Sequence, residues 1–540
     1  MLNSIITVIV ICVSQIVCST PLSSPANTAV PEIEEPPAPY SLSSTYLTYL
    51  AKVEQEVYKE IKQYAEDLQE RLQLAQAYLK DYEDSTLKGT NHLPKNADPW
   101  QRAGEATTHP LMAYRMVRRF SKEFQSFVLN LDQVLENKMV QRLKDQGLHN
   151  WPGEMDLVEA TDALLRLHYV YDMDIEQFAN GNIGGVTTDV GLTTAQIFEV
   201  AEYTIDYGYH TLAFDWLNAA ESKMKNENCT AISQTQIDRA YARNVQLHDN
   251  EYVHNAEMQH LFIFNGKLKD STNPLRMRDV KINYFTKNLD DTAMQAGHYK
   301  FLAMCNGIHL QDAKVKSKLK CWLDTQRNPY FTINPLKMEL LQEEPPLLQI
   351  YDVITDKWIA DLKKTATPSL RRPPPVAAGA TPRSAAYAWL RDEHIPNTPL
   401  SRRIELITGL NVQGMAASVA LQIASYSFGG HVSTHYDSLA ATDPNDPVIA
   451  AKGDRVTTFL IYLNDVEQGG LTPFPILGTF VKPVKASAVL WYNALKNGSI
   501  DSRMLHGACP VIMGHKWIAT KWTHLNENMW TRPCDLNSSL

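Results

Sequence analysis

The spacing of apolar positions divides the chain into a helical part and a strand-rich part. Between residues 42 and 83 apolar side chains recur every three or four positions among Glu, Lys and Gln, with no Gly or Pro. This pattern predicts one long amphipathic helix. Its spacing suits a coiled-coil seam between two chains, and a helix packed within its own domain is the alternative. The apolar positions are Leu50, Val57, Ile61, Tyr64, Leu68, Leu72, Ala75 and Leu79.

A second helical stretch, 108–146, follows and could fold back on the first. Together the two stretches predict a helical dimerisation domain over residues 42–150. The apolar side of the second stretch is marked by Leu111, Met116, Phe120, Phe124, Phe127 and Leu131.

From residue 151 to 266 the pattern becomes pairs of helices. Two helix-turn-helix units are offset by about 40 residues, close to the tetratricopeptide period, and stacked units of this kind leave a concave groove. Aromatic grooves bind proline-rich segments in the polyproline II conformation, so the pattern predicts a peptide-binding domain. The candidate helices are 155–170, 193–207, 210–225, 233–247 and 250–264. The candidate groove residues, whose alternative place is the core, are Tyr203, Tyr207, Tyr209, Trp216 and Tyr241.

Strands dominate from about residue 345 onward, after a connecting region at 267–344. Segments rich in Val, Ile, Thr, Phe and Trp alternate with Gly, Asn and Asp turns, which predicts a jelly-roll (double-stranded β-helix) domain over 345–540. The segment 368–382 is too rich in proline for a regular helix or central strand and is predicted to be a loop. The fold class is therefore multidomain α+β, all-α in its N-terminal half. The candidate strands are 419–428, 456–463, 480–492, 503–512 and 516–523.

The bulk composition limits the class of partner. At 540 residues the chain is too long for one hydrophobic core, and a net charge of −9 with no basic stretch gives no reason to expect nucleic acid. Residues 1–19 hold a short apolar run ending in small residues, which predicts a cleaved secretory signal, and 20–41 form a proline-rich leader. No later segment is apolar enough to span a bilayer, so the mature chain is expected in a secretory compartment. Three glycosylation sequons, at Asn228, Asn497 and Asn537, are consistent with this.

Cysteine spacing suggests disulfides in that oxidising compartment. Two of the seven cysteines lie in the presumed signal. Cys305 and Cys321 are close in sequence, as are Cys509 and Cys534, so local pairing is the simplest connectivity, although the sequence leaves the others open. Cys229 is left over.

Four residues near the C-terminus predict a reaction. His435 and Asp437 stand at i and i+2, on one face of an extended strand. With His506 they form a two-histidine, one-carboxylate set, which is typical of non-haem Fe(II) oxygenases and leaves three metal positions open. Lys516 would bind the distal carboxylate of a 2-oxo acid held there. We therefore predict an iron- and 2-oxoglutarate-dependent hydroxylase. His431 and His515 lie near the predicted ligands, but they lack the spacing of the motif, so we do not predict them as metal ligands.

The motifs around these residues resemble those of the α subunits of collagen prolyl 4-hydroxylases. The similarity covers nearly the whole mature chain and is most specific in its C-terminal domain. It rests on Leu421-Gln-Ile-Ala-Ser-Tyr426, His435-Tyr-Asp437, Phe459-Leu-Ile-Tyr-Leu-Asn-Asp465, Gly469-Gly-Leu-Thr472-Pro-Phe474-Pro475, Trp491-Tyr-Asn493 and the tail from His506 to Trp522, with Arg532-Pro-Cys534 after it.

The resemblance implies a role for each site residue. His435, Asp437 and His506 would ligate Fe(II), and Lys516 would pair with the C5 carboxylate of 2-oxoglutarate. Tyr426 and Thr472 would hydrogen-bond the same co-substrate, and Trp522 would lie near the substrate proline.

The resemblance also implies an activity and its setting. The reaction would use O2 to convert 2-oxoglutarate into succinate and CO2 while hydroxylating C4 of a peptidyl proline, with ascorbate maintaining the iron. The partner would be protein disulfide isomerase, as the β subunit of an α2β2 tetramer in the lumen of the endoplasmic reticulum.

Departures from the family pattern lie next to the metal motif. Val432 takes the place of a tyrosine that would contact substrate, followed by Ser433 and Thr434, and the second set of groove tyrosines is largely lost around Arg243 and Gln246. Two alternatives therefore stay open. One is a hydroxylase for another secreted, proline-containing protein, and the other is a non-catalytic, chaperone-like peptide-binding subunit.

Overall fold

The structure is a computed structural model that describes residues 43–67, 72–94, 96–129, 141, 145, 151–227, 231–254, 293–371, 384–392 and 397–533. The predicted signal 1–19 and leader 20–41 lie outside these ranges. So do Asn228, Cys229, Cys534 and Asn537, and most of the predicted loop at 368–382.

The first helical segment is a hairpin, so the prediction of one long helix over 42–83 is wrong. It consists of α1 (Ser44–Asp67) and α2 (Leu72–Tyr82). The rings of Tyr58 and Tyr82 stack with centroids 4.8 Å apart, whereas a continuous helix would separate them by about 36 Å. The chain therefore reverses between the two helices, although neither Gly nor Pro marks the reversal in the sequence.

The apolar positions predicted for a seam between chains are buried within this chain. Leu50, Val57, Ile61 and Ala75 have no exposed surface, and they share one core with the helices that follow. The predicted positions Leu68 and Leu72 and the side chain of Tyr64 lie outside the described side chains. The observed packing is the alternative, a helix packed within its own domain.

The second predicted helical stretch is confirmed where it is described. The preceding helix α3 (Pro99–Thr108) was not predicted, and the stretch itself comprises α4 (Pro110–Arg118) and α5 (Gln125–Leu129), with a π-helical turn between them. The predicted apolar positions from Leu111 to Phe127 are buried, and Leu131 lies outside the described residues.

In the region of predicted helix pairs the structure has α6 (Glu154–Tyr171), the short α7 (Ile175–Ala179), α8 (Thr194–Asp206), α9 (His210–Glu227) and α10 (Gln234–His254). A small hairpin, β1 (Asn182–Ile183) with β2 (Val186–Thr187), precedes α8. Helix α9 packs against both α8 and α10. The predicted break between 247 and 250 is wrong, because α10 continues through it and buries His248 against His210. Residues 255–264 of the last predicted helix lie outside the description.

An antiparallel eight-stranded sheet is the main sheet of the C-terminal part. Its strands are β3 (Cys321–Asp324), β4 (Leu336–Gln342), β5 (Leu347–Tyr351), β6 (Ala386–Leu390), β7 (Leu421–Tyr426), β9 (Arg455–Tyr462), β13 (Ala488–Tyr492) and β16 (Lys516–His524). They lie in the order β3-β4-β5-β13-β9-β16-β7-β6. Because β3 and β4 fall in the predicted connecting region, the sheet begins before residue 345.

Short strand pairs accompany this sheet: β8 (Val432–His435) with β14 (His506–Ala508), β10 (Gln468–Gly469) with β15 (Val511–Met513), and β11 (Thr472–Phe474) with β12 (Thr479–Val481). Two predicted strands, 480–492 and 503–512, are each divided between two elements. Pro483 and Pro510 lie at the divisions, where a residue without an N–H cannot continue a ladder. The helices of this part are α11 (Ala293–Cys305), α12 (Ala313–Lys316), α13 (Asp356–Ala366), α14 (Asn397–Thr408), α15 (Gly414–Ala417) and α16 (Pro447–Lys452).

The disulfide joins Cys305 to Cys509, so the predicted local pairs Cys305–Cys321 and Cys509–Cys534 are wrong. Helix α11 packs against α6, β11 and β12, and this packing places its last residue, Cys305, beside Cys509. Cys321 lies exposed on the edge strand β3 and has no disulfide in the described part of the chain.

Every helix in the described ranges is too short or too polar to cross a bilayer.

Candidate active site

The three predicted metal ligands converge on one point. Strands β8 and β14 pair so that His435 and His506 lie directly opposite each other, and Asp437 follows two residues after His435. The Nε2 atoms of His435 and His506 lie 3.7 and 3.5 Å from the two carboxylate oxygens of Asp437. One ligand atom from each residue lies within 4.8 Å of the others, as a shared metal ion requires.

Backbone carbonyls fix the orientation of both imidazole rings. Nδ1 of His435 donates to the carbonyl oxygen of Ser433 and Nδ1 of His506 to that of Met504, each at 2.9 Å. Because a carbonyl oxygen only accepts, the proton of each neutral ring lies on Nδ1. Nε2 then keeps its lone pair, which is the arrangement that a metal-binding histidine needs.

Burial and hydrogen bonds set the charges of the site. Burial lowers the pKa of His506 to about 4, so its imidazole is neutral near pH 7. Burial alone would raise the pKa of Asp437, but the positive charge that either imidazole carries once protonated, together with the hydrogen bond from the Thr458 hydroxyl, holds that pKa below its usual range. The Thr458 hydroxyl donates to Asp437 Oδ2 at 2.7 Å, and the Asn493 amide donates to Thr458 at 2.9 Å.

Two aromatic side chains pack against the imidazole ring of His506. The Trp491 ring lies 4.8 Å from the imidazole centroid and the Phe474 ring 5.6 Å from it. Both are fully buried, so they shield this side of the site from water.

Lys516 is a buried cation without an acidic partner among the described residues. Its ammonium donates to the carbonyl oxygen of Gly470 at 2.7 Å and to the Thr472 hydroxyl at 3.2 Å. Tyr426 is its cross-strand neighbour, and the Tyr426 and Tyr462 rings each lie 5.7 Å from the ammonium. Burial lowers the pKa of Lys516 to about 7, so a bound anion would stabilise the charged form.

One cavity of about 270 Å³ brings the predicted residues together. His435, Asp437 and His506 line it, as do the residues predicted for 2-oxoglutarate (Lys516, Tyr426 and Thr472) and Trp522. The donor set fits Fe(II), and the cationic end of the cavity fits a dicarboxylate that also reaches the metal.

The comparisons with known proteins agree with this geometry. Residues 43–185 match the model of the prolyl 4-hydroxylase alpha-subunit N-terminal region, and 421–524 match that of the 2OG-Fe(II) oxygenase superfamily. The chain is 30% identical to prolyl 4-hydroxylase subunit alpha-2 of Caenorhabditis elegans, over 92% of this chain and 93% of that protein. It is 28% identical to subunit alpha-2 of Gallus gallus and to subunit alpha-1 of Homo sapiens, covering 92% and 85% of this chain and 95% and 92% of the relatives.

The chain belongs to the prolyl 4-hydroxylase α-subunit family. Its C-terminal part is a 2OG-Fe(II) oxygenase domain, which makes the protein a 2-oxoglutarate-dependent dioxygenase. The oxygenase match includes every predicted metal and co-substrate residue.

Several residues of this prolyl 4-hydroxylase α-subunit site were not predicted. Thr458 supports a metal ligand, and Asn493 supports Thr458. Arg455 lies with its guanidinium 4.5 Å from the centre of the Trp522 ring at the wall of the cavity. A lone Thr or Arg in a strand carries no spacing that would have revealed these roles.

The predicted groove aromatics divide into two groups. Tyr203 and Tyr207 stack at 4.2 Å, Tyr207 is 56% exposed, and the Tyr203 hydroxyl donates to Asp162 at 2.8 Å. Tyr209 lines a separate cavity of about 180 Å³. These three positions are compatible with a binding surface.

The other two aromatics pack against the helices. Trp216 is fully buried between His168 and Phe178, so its predicted place in the groove is wrong. Tyr241 packs against Phe214, and its hydroxyl donates to Asn218.

The described sequon is accessible. Asn497 is exposed, and its side-chain oxygen accepts from the Ser499 hydroxyl at 2.6 Å. Glycosylation of Asn228, Asn497 and Asn537 stays a prediction.

Proposed function

We propose that this chain is the catalytic α subunit of a procollagen-proline 4-hydroxylase. The observation that carries the proposal is the presence, in one cavity, of the His435–Asp437–His506 set and the buried ammonium of Lys516. The names of the relatives, all prolyl 4-hydroxylase α subunits, support proline C4 as the target.

The side chains around the cavity divide the work. His435, Asp437 and His506 would hold Fe(II), and Lys516, Thr472 and Tyr426 would hold the distal carboxylate of 2-oxoglutarate. With iron, 2-oxoglutarate and O2 bound, the centre would supply the oxidation that converts 2-oxoglutarate into succinate and CO2 and a C–H bond into an alcohol.

The remaining walls would orient the substrate and exclude water. Trp522 offers an aromatic face to a proline ring, and the Arg455 guanidinium against it fixes the position of that face. Trp491 and Phe474 close the opposite side around His506.

A collagen-like substrate would use the helical part as well. We propose that helices α8 to α10 form a tetratricopeptide-like binding unit in which Tyr203, Tyr207 and Tyr209 contact a polyproline II segment. We also propose that the main sheet and the short strand pairs form the double-stranded β-helix of an oxygenase. The alternating contacts of α9 with α8 and α10 support the first, and the antiparallel strand order supports the second.

The cellular setting follows from the sequence and the family. We propose a cleaved signal, residence in the lumen of the endoplasmic reticulum, ascorbate as the reductant that maintains the iron, and protein disulfide isomerase as the β subunit of an α2β2 tetramer. The disulfide Cys305–Cys509 supports an oxidising compartment.

The direct test is turnover by the chain co-expressed with protein disulfide isomerase. The complex would receive Fe(II), ascorbate, 2-oxoglutarate and a (Pro-Pro-Gly)10 peptide, with hydroxyproline measured by mass spectrometry and succinate measured in parallel. We expect peptide-dependent 4-hydroxyproline that disappears in His506→Ala, which loses a metal ligand. Neither product from a folded, iron-loaded wild-type complex would overturn the proposal and favour a non-catalytic peptide-binding subunit.

A second candidate substrate class rests on Val432. Its apolar side chain lines the cavity where the family pattern has a tyrosine, which removes one hydroxyl from the substrate wall. Another secreted proline-containing protein is the substrate if the complex forms succinate and hydroxyproline with unrelated proline-rich peptides but not with (Pro-Pro-Gly)10.

A further inference from the structure

Helix α6 lies between the proposed peptide-binding helices and the oxygenase domain. One side of it, through Asp162, Leu165, Arg166 and Tyr169, lines the cavity of about 180 Å³ that Tyr209 also lines. We call this space the groove cavity. It adjoins the Tyr203–Tyr207 stack, because the Tyr203 hydroxyl donates to Asp162.

The same helix contacts the loop between β7 and β8, which we call the 427–431 loop. Gly429 has a φ of +64°, and a Cβ there would lie only 2.5 Å from the Cβ of Ala163, so the loop backbone is pressed against α6. Nη1 of Arg166 donates to the carbonyl oxygen of Gly429 at 2.7 Å. Arg166 therefore lines the groove cavity and holds the loop at the same time.

The loop leads directly to the active-site cavity. Val432, three residues after Gly429, lines that cavity, and the two Cα atoms are at most about 11 Å apart. The loop also contacts β15, which follows the metal-bearing strand β14, since Gly429 N donates to the carbonyl oxygen of Val511 at 2.8 Å. It continues directly into β8, which pairs with β14. A shift of the 427–431 loop would therefore move the wall beside His435.

The loop is a well-defined structure rather than a loose connection. His431 is half-buried, and burial of its imidazole, followed by the positive charge of Arg166, lowers its pKa well below the usual value. The carbonyl oxygen of His431 accepts from Ser384 N at 2.9 Å. The position of the loop is thus set by contacts on several sides, and one of these contacts, Arg166, also lines the groove cavity.

We propose that Arg166 is a positioning residue that couples an extended proline-rich peptide in the groove cavity to the active-site wall through the 427–431 loop. This inference rests on the proposed function, because it assigns the groove cavity to the peptide substrate. Carbonyl oxygens of a polyproline II chain have no internal partners, so they are natural acceptors for the Arg166 guanidinium, whose five N–H groups can serve more than one acceptor. Contact of the peptide with Arg166 changes how that side chain holds Gly429.

The test compares wild type, R166Q and R166K in the full complex with protein disulfide isomerase. R239Q is the matched control, because it removes an exposed arginine from α10. Hydrogen–deuterium exchange of amides 427–432 is measured with and without saturating (Pro-Pro-Gly)10. The peptide's Kd and the kcat ratio for (Pro-Pro-Gly)10 against (Pro-Pro-Gly)2, which spans only about 19 Å as polyproline II, are measured alongside.

We expect the peptide to slow exchange in the loop in wild type and R239Q but not in R166Q. We also expect the kcat ratio to fall at least fivefold in R166Q, with partial rescue in R166K, while the Kd changes less than the ratio. If R166Q does not fold, R166K carries the test with a reduced loop response.

Three results would overturn the coupling. The first is that R166Q has the same peptide-dependent slowing of exchange and the same kcat ratio as wild type. The second is that kcat of R166Q falls equally with both peptides, as a merely structural role predicts. The third is that R166Q loses peptide binding but keeps its kcat ratio. If wild type forms no hydroxyproline at all, the proposed function fails, but the exchange measurement needs no turnover and still decides the coupling.

Discussion

The positive charge of Lys516 is unfavourable in the ligand-free chain because the side chain is buried, and a bound anion would offset this cost. Lowering its pKa from 10.5 to about 7 corresponds to about 5 kcal/mol of unfavourable burial near neutral pH in the ligand-free chain. The unfolded lysine stays protonated up to about pH 10, so the ligand-free protein gains stability as the pH rises from 7 towards 10.5. Bound 2-oxoglutarate would remove this penalty by pairing with the ammonium.

We predict that Lys516→Met raises the melting temperature of the ligand-free chain and abolishes tight 2-oxoglutarate binding. Losing the charge-assisted contact weakens binding roughly 10- to 150-fold. Differential scanning calorimetry and a 2-oxoglutarate titration measure the two effects. An unchanged Kd would remove Lys516 from the co-substrate site.

The same group predicts a pH dependence. Because only the charged ammonium pairs with a carboxylate, the Kd for 2-oxoglutarate should rise about tenfold per pH unit above pH 7. In Lys516→Arg, whose guanidinium stays protonated, the Kd should stay flat up to pH 9. A wild-type Kd equally flat over that range would contradict the assignment.

Thr458 orients a metal ligand without touching the metal. Removing its hydroxyl in Thr458→Val leaves one oxygen of Asp437 without its 2.7 Å donor, so we expect iron affinity to fall roughly 10- to 100-fold. Thr457→Val is the matched control, since that buried hydroxyl bonds to Thr523 instead. Equal iron affinities of the two variants, by titration under anaerobic conditions, would show that Thr458 does not support Asp437.

The metal ligands were predictable because short-range spacing on a strand determines their common direction. His435 and Asp437 could be placed on one face from sequence, and His506 followed from the family motif. Thr458 and Asn493 could not be found this way, because their roles arise from the pairing of strands far apart in sequence.

At the scale of elements, a buried ion-pair network stabilises the α1–α2 hairpin. The Arg119 guanidinium, fully buried in the π-helical turn, lies 2.6 Å from both Glu54 on α1 and Asp81 on α2. The chain reversal is what brings these two acids to one cation. The helical period of 42–83 predicted the helices but not the reversal, because no breaking residue marks it.

We predict that Arg119→Ala destabilises the helical part by about 3–5 kcal/mol, because it leaves Glu54 in the core without its cation and removes one of the two arginines that pair with Asp81. Lys59→Ala, which removes the exposed pair with Glu56, should change stability by less than about 0.5 kcal/mol. Urea unfolding of the full complex followed by circular dichroism measures both. Similar midpoints for the two variants would show that the hairpin does not depend on Arg119.

At the scale of the whole molecule, the disulfide Cys305–Cys509 joins residues 204 positions apart and connects α11 to the chain segment that follows His506. In the chain-entropy model, closing a loop of this length raises the free energy of the unfolded chain by about 5 kcal/mol and so stabilises the folded protein. Phe301 on α11 also lies within 3.0 Å of where a Cβ at Gly507 would be, next to the metal ligand. The disulfide and this contact thus help to fix the position of β14, the strand that carries His506.

We predict that Cys305→Ser with Cys509→Ser lowers the midpoint of unfolding and weakens iron binding, whereas Cys321→Ser changes neither. Peptide mapping without reduction identifies the pairs, and thermal unfolding measures the effect. Detection of a Cys305–Cys321 peptide in the native complex would contradict the observed connectivity.

The sequence by itself determined the features that depend on local periodicity or motif: most helices of the N-terminal half, most strands of the oxygenase domain, the metal ligands and Lys516. Tertiary structure decided the features that depend on which distant surfaces meet. These are the reversal between α1 and α2, the burial of Trp216, the partner of Cys305, the support of Asp437 by Thr458, and the place of Arg166 between two cavities. Spacing along a chain fixes which way neighbouring side chains point, but the contacts of a residue far away in sequence are fixed only when the elements pack.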